Sequence, residues 1–231
     1  ENVNFSSIDG ILYDKKGKKM VLYPSGRKDK EFTIPSFVTS IGKGCFLDND
    51  TLEHIRVSSN INKIEERAFA ESEIKSIDLP SSISRIDSET FWRCRRLESI
   101  VLPESLREIE DSAFAESEIR EINLPSSLKR IGRYTFSSCY NIESVTIPSS
   151  VSYIEGSAFS RCKNLKKIEV SGESEYFSSI DGVLFDKKKE KLLSYSSGRD
   201  DKDYRVKEGI IEIGDGAVQG ASIERVTLPS T

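Results

Sequence analysis

Leu102-Pro-Glu-Ser-Leu-Arg-Glu-Ile-Glu-Asp-Ser-Ala-Phe114 decides the reading of this chain, because it returns. Leu79-Pro-Ser-Ser-Ile-Ser-Arg-Ile86 leads to Phe91, Leu124-Pro-Ser-Ser-Leu-Lys-Arg-Ile131 to Phe136, and Ile147-Pro-Ser-Ser-Val-Ser-Tyr-Ile154 to Phe159. The phenylalanines Phe46, Phe69, Phe91, Phe114, Phe136 and Phe159 are separated by 23, 22, 23, 22 and 23 residues. A fixed period in this range marks a solenoid, in which each unit buries its apolar face only against its neighbours. The alternation has a local cause. Long units run six steps from Phe to the next apolar anchor, as in Phe91-Trp-Arg-Cys-Arg-Arg-Leu97. Short units run five, as in Phe69-Ala-Glu-Ser-Glu-Ile74, and the spare residue falls in a turn, where insertion costs little.

Within a unit, Leu97-Glu-Ser-Ile100-Val-Leu102 alternates as a strand does, apolar inward and polar outward. Pro103 ends the run, since proline cannot serve a continuing ladder. Leu106-x-x-Ile109 makes a second extended segment on the opposite side. Asp111-Ser-Ala-Phe114 is too short for an ordinary helix and fits one 3₁₀ or α turn.

The regular array spans residues 38–171. Residues 1–37 depart from it, yet they recur 172 residues later: Phe5-Ser-Ser-Ile-Asp-Gly-Ile-Leu-Tyr-Asp-Lys-Lys16 matches Phe177-Ser-Ser-Ile-Asp-Gly-Val-Leu-Phe-Asp-Lys-Lys188. The match continues through Tyr23/Tyr195 and Arg27/Arg199. Gly10-Ile-Leu-Tyr-Asp14 and Met20-Val-Leu-Tyr23 flank the charged turn Lys15–Lys18 and read as a hairpin. Residues 1–37 and 172–209 are therefore hairpin islands in the solenoid. A further coil follows at 210–231, with Val218 in the phenylalanine slot. The chain opens and closes in mid-pattern and is expected to be a piece of a longer protein.

The pattern resembles the BspA-like, or Treponema pallidum-type, leucine-rich repeat family, whose unit reads roughly Leu-x-x-Ile-x-Leu-Pro-x-Ser-Leu-x-x-Ile-Gly-x-x-Ala-Phe-x-x-Cys. Residues 97–114 and 119–139 follow it almost position by position. The resemblance implies a curved, right-handed leucine-rich repeat solenoid. A parallel β-sheet lines its concave face, and short strands and single turns lie on the convex side. It also implies a cell-surface or secreted protein, such as an adhesin. The departures are Glu71-Ser72 and Glu116-Ser117, where short units lack the family cysteine.

Composition narrows the partners. Charged residues make up 31% and the net charge is −4, which argues against a dedicated nucleic-acid binder. No apolar run approaches the roughly 18 residues that a membrane helix needs, so no direct insertion by this chain is expected. Chemistry is sparse. His54 is the only histidine, and the pattern points Cys45 inward and His54 outward, so no Cys/His nucleophilic pair is expected. There is no CxxC and no second histidine for a metal. Asp14-Lys-Lys-Gly-Lys18 lacks the alternating oxygens of a calcium loop. Gly42-Lys-Gly44 and Gly214-Asp-Gly216 lack the third glycine and the helix of a nucleotide loop. No cofactor and no enzymatic activity are expected. Cys94, Cys139 and Cys162 share one slot, three residues after Phe. Stacking at about 5 Å brings Cys139 and Cys162 within reach of a bridge, although small buried residues filling one internal site are the preferred reading. The sequons Asn4-Phe-Ser6 and Asn49-Asp-Thr51 read as chance.

The outward column of the first strand carries the candidate ligand site: Arg56, Asp78, Val101, Asn123, Thr146 and Glu169, with Thr227 beyond the island. The preceding column reads His54, Ser76, Ser99, Glu121, Ser144, Lys167 and Arg225. Such a polar, mixed-charge face suits a protein or glycan, and it also suits plain solvated sheet. A secondary candidate is Trp92 with Arg93, Arg95 and Arg96. Exposed Trp among arginines is interface composition. The competing reading folds Trp92 over the neighbouring turn and pairs the arginines with Glu71, Glu73, Glu116 and Glu118. The expected function is a non-catalytic protein- or glycan-binding domain, using the concave face or the islands. The rival is a stiff spacer that presents another domain.

Overall fold

A computed structural model of the chain describes residues 2–229, so residues 230–231 of the expected last coil lie outside the described part. The N-terminal strands β1 (Phe5–Ile8), β2 (Ile11–Asp14) and β3 (Lys19–Leu22) form an antiparallel meander. Each following coil alternates a longer and a shorter strand. These are β4 (Glu31–Thr33) and β5 (Ser40–Ile41), then β6 (His54–Arg56) and β7 (Lys63–Ile64). Next come β8 (Ser76–Asp78), β9 (Arg85–Ile86), β10 (Ser99–Val101) and β11 (Glu108–Ile109). The coil after that has only β12 (Arg130–Ile131). β13 (Ser144–Ile147), β14 (Tyr153–Ile154) and β15 (Lys167–Val170) precede a second meander of β16 (Phe177–Ile180), β17 (Val183–Asp186) and β18 (Lys191–Ser194). β19 (Asp203–Arg205), β20 (Glu212–Ile213) and β21 (Arg225–Thr227) complete the described chain.

The pairing is that of a parallel β-solenoid. On one side β4, β6, β8 and β10 stack in parallel, as do β13 with β15 and β19 with β21. On a second side β3, β5 and β7 stack, then β9, β11, β12 and β14, then β18 with β20. The repeated Pro-x-Ser ties one coil to another. Ser105 Oγ donates to the Ile83 carbonyl at 2.6 Å and Ser127 Oγ to the Leu106 carbonyl at 2.6 Å. The proline carbonyl closes the corner, accepting from Leu106 N–H at 3.0 Å in the case of Pro103.

The chain turns around the phenylalanines without a helix, and among the described residues there is none. A third ladder stands there instead. Alternate amides turn outward to the next coil: Ser112, Phe114 and Glu116 N–H donate to Arg133, Thr135 and Ser137 carbonyls at 2.8–2.9 Å. The amides between them close i to i+3 turns, as Ala115 does on Ser112 at 3.1 Å. Linked turns of this kind need a left-handed residue every fourth position. Ser112 and Glu116 have φ of 55° and 60°, and Arg67, Glu71, Glu89, Arg93, Tyr134 and Ser138 share that state. Each costs roughly 1–2 kcal/mol as a non-glycine residue, so the inter-coil ladder holds them there.

The core is an aromatic stack. Phe46, Phe69, Phe91, Phe114, Phe136 and Phe159 are all buried, with successive centroids 5.2–5.5 Å apart and planes within 11°. Tyr23 extends the stack from the first island at 5.2 Å. Its register partner in the second island is Tyr195, and Val218 holds the register of Phe46: Tyr195 N–H bonds Ala217 O as Tyr23 N–H bonds Cys45 O. Val218 is nevertheless 37% exposed, so the stack stops short of the last coil. The slot three residues on is equally regular. Cys94 and Cys139 donate S–H to the Phe69 and Phe114 carbonyls at 3.0 and 3.1 Å and lie 3.7 and 3.5 Å from Ser72 and Ser117. The serines of the short coils thus take the cysteine position. All four cysteines, Cys139 and Cys162 among them, are free and buried.

The islands match in detail. Asp9 and Gly10 have φ of 49° and 77°, and Asp181 and Gly182 have 51° and 78°. Both central residues in the left-handed region make a two-residue type I′ hairpin, which Asp-Gly favours. The sequence reading found the β2–β3 hairpin and overlooked this one, β1–β2. A clasp closes each island: Tyr23 and Arg27 both donate to Asp29 at 2.6 Å, while Arg27 Nη1 holds the Asp9 carbonyl at 2.7 Å. Tyr195, Arg199, Asp201 and the Asp181 carbonyl repeat it.

Candidate functional site

The strand alternation fixes which side chains face outward. Ile55, Ile77, Ile100, Ile122, Val145 and Ile168 are buried, so their flanking residues project to solvent. His54, Arg56, Asp78, Val101, Asn123, Thr146, Lys167 and Glu169 are all exposed. The register pairs His54 with Ser76, Ser76 with Ser99, Asp78 with Val101, Ser144 with Lys167 and Thr146 with Glu169.

The candidates do not form one continuous surface. His54, Arg56, Ser76 and Asp78 line a hollow of about 420 Å³, together with Glu31. Glu31 was absent from the sequence reading because it precedes the regular array, but β4 supplies the first rung of the sheet. Its carboxylate lies 3.8 Å from Arg56. Beyond it Val101, 61% exposed, gives an apolar step. The sheet then breaks, because residues 121–123 form no strand although Ile119-x-x-Ile122-x-Leu124 repeats the pattern of 74–79. Glu121, Asn123, Ser144 and Thr146 border a second hollow of about 450 Å³ beside this break. Lys167 and Glu169 pair with each other at 2.6 Å, leaving less charge free for a ligand. Arg225 and Thr227 belong to β21, whose sheet is not continuous with β15.

Trp92 lies elsewhere, on the turn ladder, and is half-buried. The Arg93 guanidinium stacks on it at 4.2 Å and Arg67 lies 5.3 Å from its centroid. Arg93 reaches Glu116 at 3.0 Å and Glu71 at 3.9 Å, and Arg96 reaches Glu73 at 3.4 Å. Arg95 is exposed. Arg67 and Tyr134 occupy one turn column, two residues before Phe; reading it beside the Trp92 column would have found both.

The remaining chemistry is buried or structural. Cys45 is fully buried, and burial pushes its thiol up to about 12, whereas His54 is on the outer face of β6. Burial likewise raises Cys94 and Cys139 to about 12. Asn49 of the second sequon is fully buried, its Oδ1 accepting from the Leu52 amide at 2.8 Å, so the folded chain does not offer it for glycosylation. Glu53 bridges two coils: Lys30 donates to it at 2.8 Å, and Lys75 donates from the other side. These bonds, with that from Lys30 foremost, hold its carboxyl well down from its ordinary 4.5, at about 2.

No curated protein matches this chain. Solved structures do. The pneumococcal vaccine antigen PcpA superposes with a TM-score of 0.61 at 24% identity, over 98% of this chain and 54% of that one. A leucine-rich repeat protein from Eubacterium ventriosum gives 0.66 at 19%, over 98% and 58%. A leucine rich cell surface protein from Faecalibacterium prausnitzii gives 0.61 at 19%, over 97% and 67%. At these identities the likeness is one of fold, and the chain spans little more than half the length of the first two. A family model described as a BspA type leucine rich repeat region matches in six copies, over residues 25–143 and 85–198. With the phenylalanine period, the Pro-x-Ser ties and the cysteine slot all in register with that unit, the chain belongs to the BspA-type leucine-rich repeat family.

Proposed function

We propose that this chain is a non-catalytic binding domain of a cell-surface or secreted protein, engaging a protein or glycan across the outer face of β4, β6 and β8. The observation that carries this reading is the hollow where Glu31, His54, Arg56, Ser76 and Asp78 converge. Arg56 is 77% exposed and Glu31 64%, so both charges remain available to a ligand. The backbone beneath them is locked in a parallel ladder, which holds the polar groups in fixed positions and lowers the ordering cost of binding. The named neighbours support the location: one is a vaccine antigen and another a cell surface protein.

The test is solution binding to a panel of extracellular-matrix proteins and glycans, with an Arg56→Ala/Asp78→Ala double variant alongside. Saturable binding that the double variant loses, while its thermal midpoint stays unchanged, supports the strand face. No binding anywhere on the panel favours the spacer reading.

A further inference from the structure

A third hollow, of about 240 Å³, lies on the turn ladder, away from the strand face. Trp92 and Tyr134 line it, with Ala115, Ser137 and Ser138 between them. In the Phe-plus-one column, which reads Leu47, Ala70, Trp92, Ala115, Ser137 and Ser160, the two coils after Trp92 carry only small side chains, which leaves room beside the indole. One side carries Arg161 and Gln219, brought together although 58 residues separate them. With the Gln219 amide oxygen toward Arg161, that oxygen accepts from Nη2 at 2.9 Å and Nε at 3.3 Å, which leaves Nη1 free for a ligand. Ser112 and Glu116 complete the lining.

Charge and shape select a ligand class. Glu116 is neutralised by Arg93 at 3.0 Å, so it remains an acceptor for hydroxyl groups without imposing a net negative charge. Among the described residues no carboxylate lies within salt-bridge distance of Arg161, which is exposed, whereas Arg133 lies outside the lining with its guanidinium over the Tyr134 ring at 5.1 Å. The hollow therefore carries surplus positive charge. Along residues 112–117 the backbone offers nothing to an extended peptide, because these amides are all used within or between coils. What remains is two aromatic rings that each already carry a guanidinium (Arg93 at 4.2 Å from Trp92, Arg133 at 5.1 Å from Tyr134), hydroxyls, an amide, a neutralised carboxylate and the Arg161 guanidinium, which has no carboxylate partner. A ring face not covered by a guanidinium is electron-rich and attracts the polarised C–H face of a pyranose ring. The polar groups suit its hydroxyls, and the free Nη1 of Arg161 is a charged donor for a carboxylate. The volume is below the roughly 300–1,000 Å³ of drug-sized sites, which suits one ring.

We propose that the Trp92–Tyr134 hollow is a binding site for a carboxylated sugar residue of a glycan, with Arg161 as the carboxylate anchor. This deepens the binding reading above by naming a glycan class, but it does not depend on the strand face.

Trp92 is the only tryptophan in the chain, so its fluorescence reports on this hollow alone. The experiment titrates the whole chain with a hyaluronan tetrasaccharide, which carries glucuronate, and with neutral chitotetraose, following fluorescence and calorimetry in parallel. The expected result is a saturable response to the hyaluronan fragment and at least about tenfold weaker binding of chitotetraose. Arg161→Gln is expected to weaken the hyaluronan fragment by about tenfold, and Tyr134→Ala to weaken it as well, with thermal midpoints unchanged. Arg56→Ala/Asp78→Ala is expected to leave this titration unchanged, which separates it from the strand-face test. Absence of a calorimetric signal, equal binding of the neutral sugar, or an Arg161→Gln variant as tight as the parent overturns the proposal.

Discussion

At the level of single residues, the duplicated islands serve as an internal control. Tyr204 and Phe32 are equivalent, 172 positions apart, and each packs tilted against the island tyrosine, at 4.8 Å from Tyr195 and 4.9 Å from Tyr23. The ring contact needs no hydroxyl, yet Tyr204 has one, buried and without a hydrogen-bond partner. A buried, unpaired hydroxyl costs about 1–3 kcal/mol. Tyr204→Phe is therefore expected to stabilise the chain by about 1 kcal/mol in urea unfolding; a loss of stability would mean the hydroxyl has a partner in solution. The shift of 172 was legible in sequence, and so was the inward direction of every cysteine. The left-handed residues were not. Arg, Glu, Ser and Tyr hold these positions without the glycine signal that usually reveals a positive φ, because inter-coil hydrogen bonds impose it.

At the level of elements, the coil is the unit and its neighbours stabilise it. Phe114 stacks on Phe91 and Phe136 at 5.2 and 5.5 Å, so removing its ring opens a cavity bordered on both sides. Phe114→Ala is expected to cost about 3–5 kcal/mol in chemical unfolding, against far less for an exposed site such as Val101→Ala. A cost below about 1 kcal/mol would show that the stack is not continuous. The Lys30–Glu53–Lys75 bridge adds a pH dependence. The folded carboxyl, at about 2, lies below its ordinary 4.5, so its stabilisation is present above pH 4.5 and is lost as the pH falls towards 2. Glu53→Gln is expected to be less stable than the parent at neutral pH, with the gap closing through that window; a gap independent of pH contradicts the bridge. The break at 121–123 was not legible, because its apolar spacing is that of the paired strand β8.

For the whole molecule, the repeat period gave the architecture directly, since every coil repeats one hydrophobic pattern and one set of corner ties. The function was less legible for the same reason. A pattern that specifies the core leaves the outward columns free, and only the stacking shows which of them meet. His54, Arg56 and Asp78 converge with Glu31, whereas Lys167 and Glu169 pair off. Trp92 shares a hollow with Tyr134, Arg161 and Gln219 from later coils, which no local motif announces. The most direct test of strand-face binding is hydrogen–deuterium exchange of the whole chain, with and without a ligand that the panel identifies. The account predicts that slowing is concentrated in segments 31–33, 54–57 and 76–78, and that the Arg56→Ala/Asp78→Ala variant abolishes it. Slowing confined to the hairpins at 5–22 and 177–194, with the strand face unchanged, would contradict it.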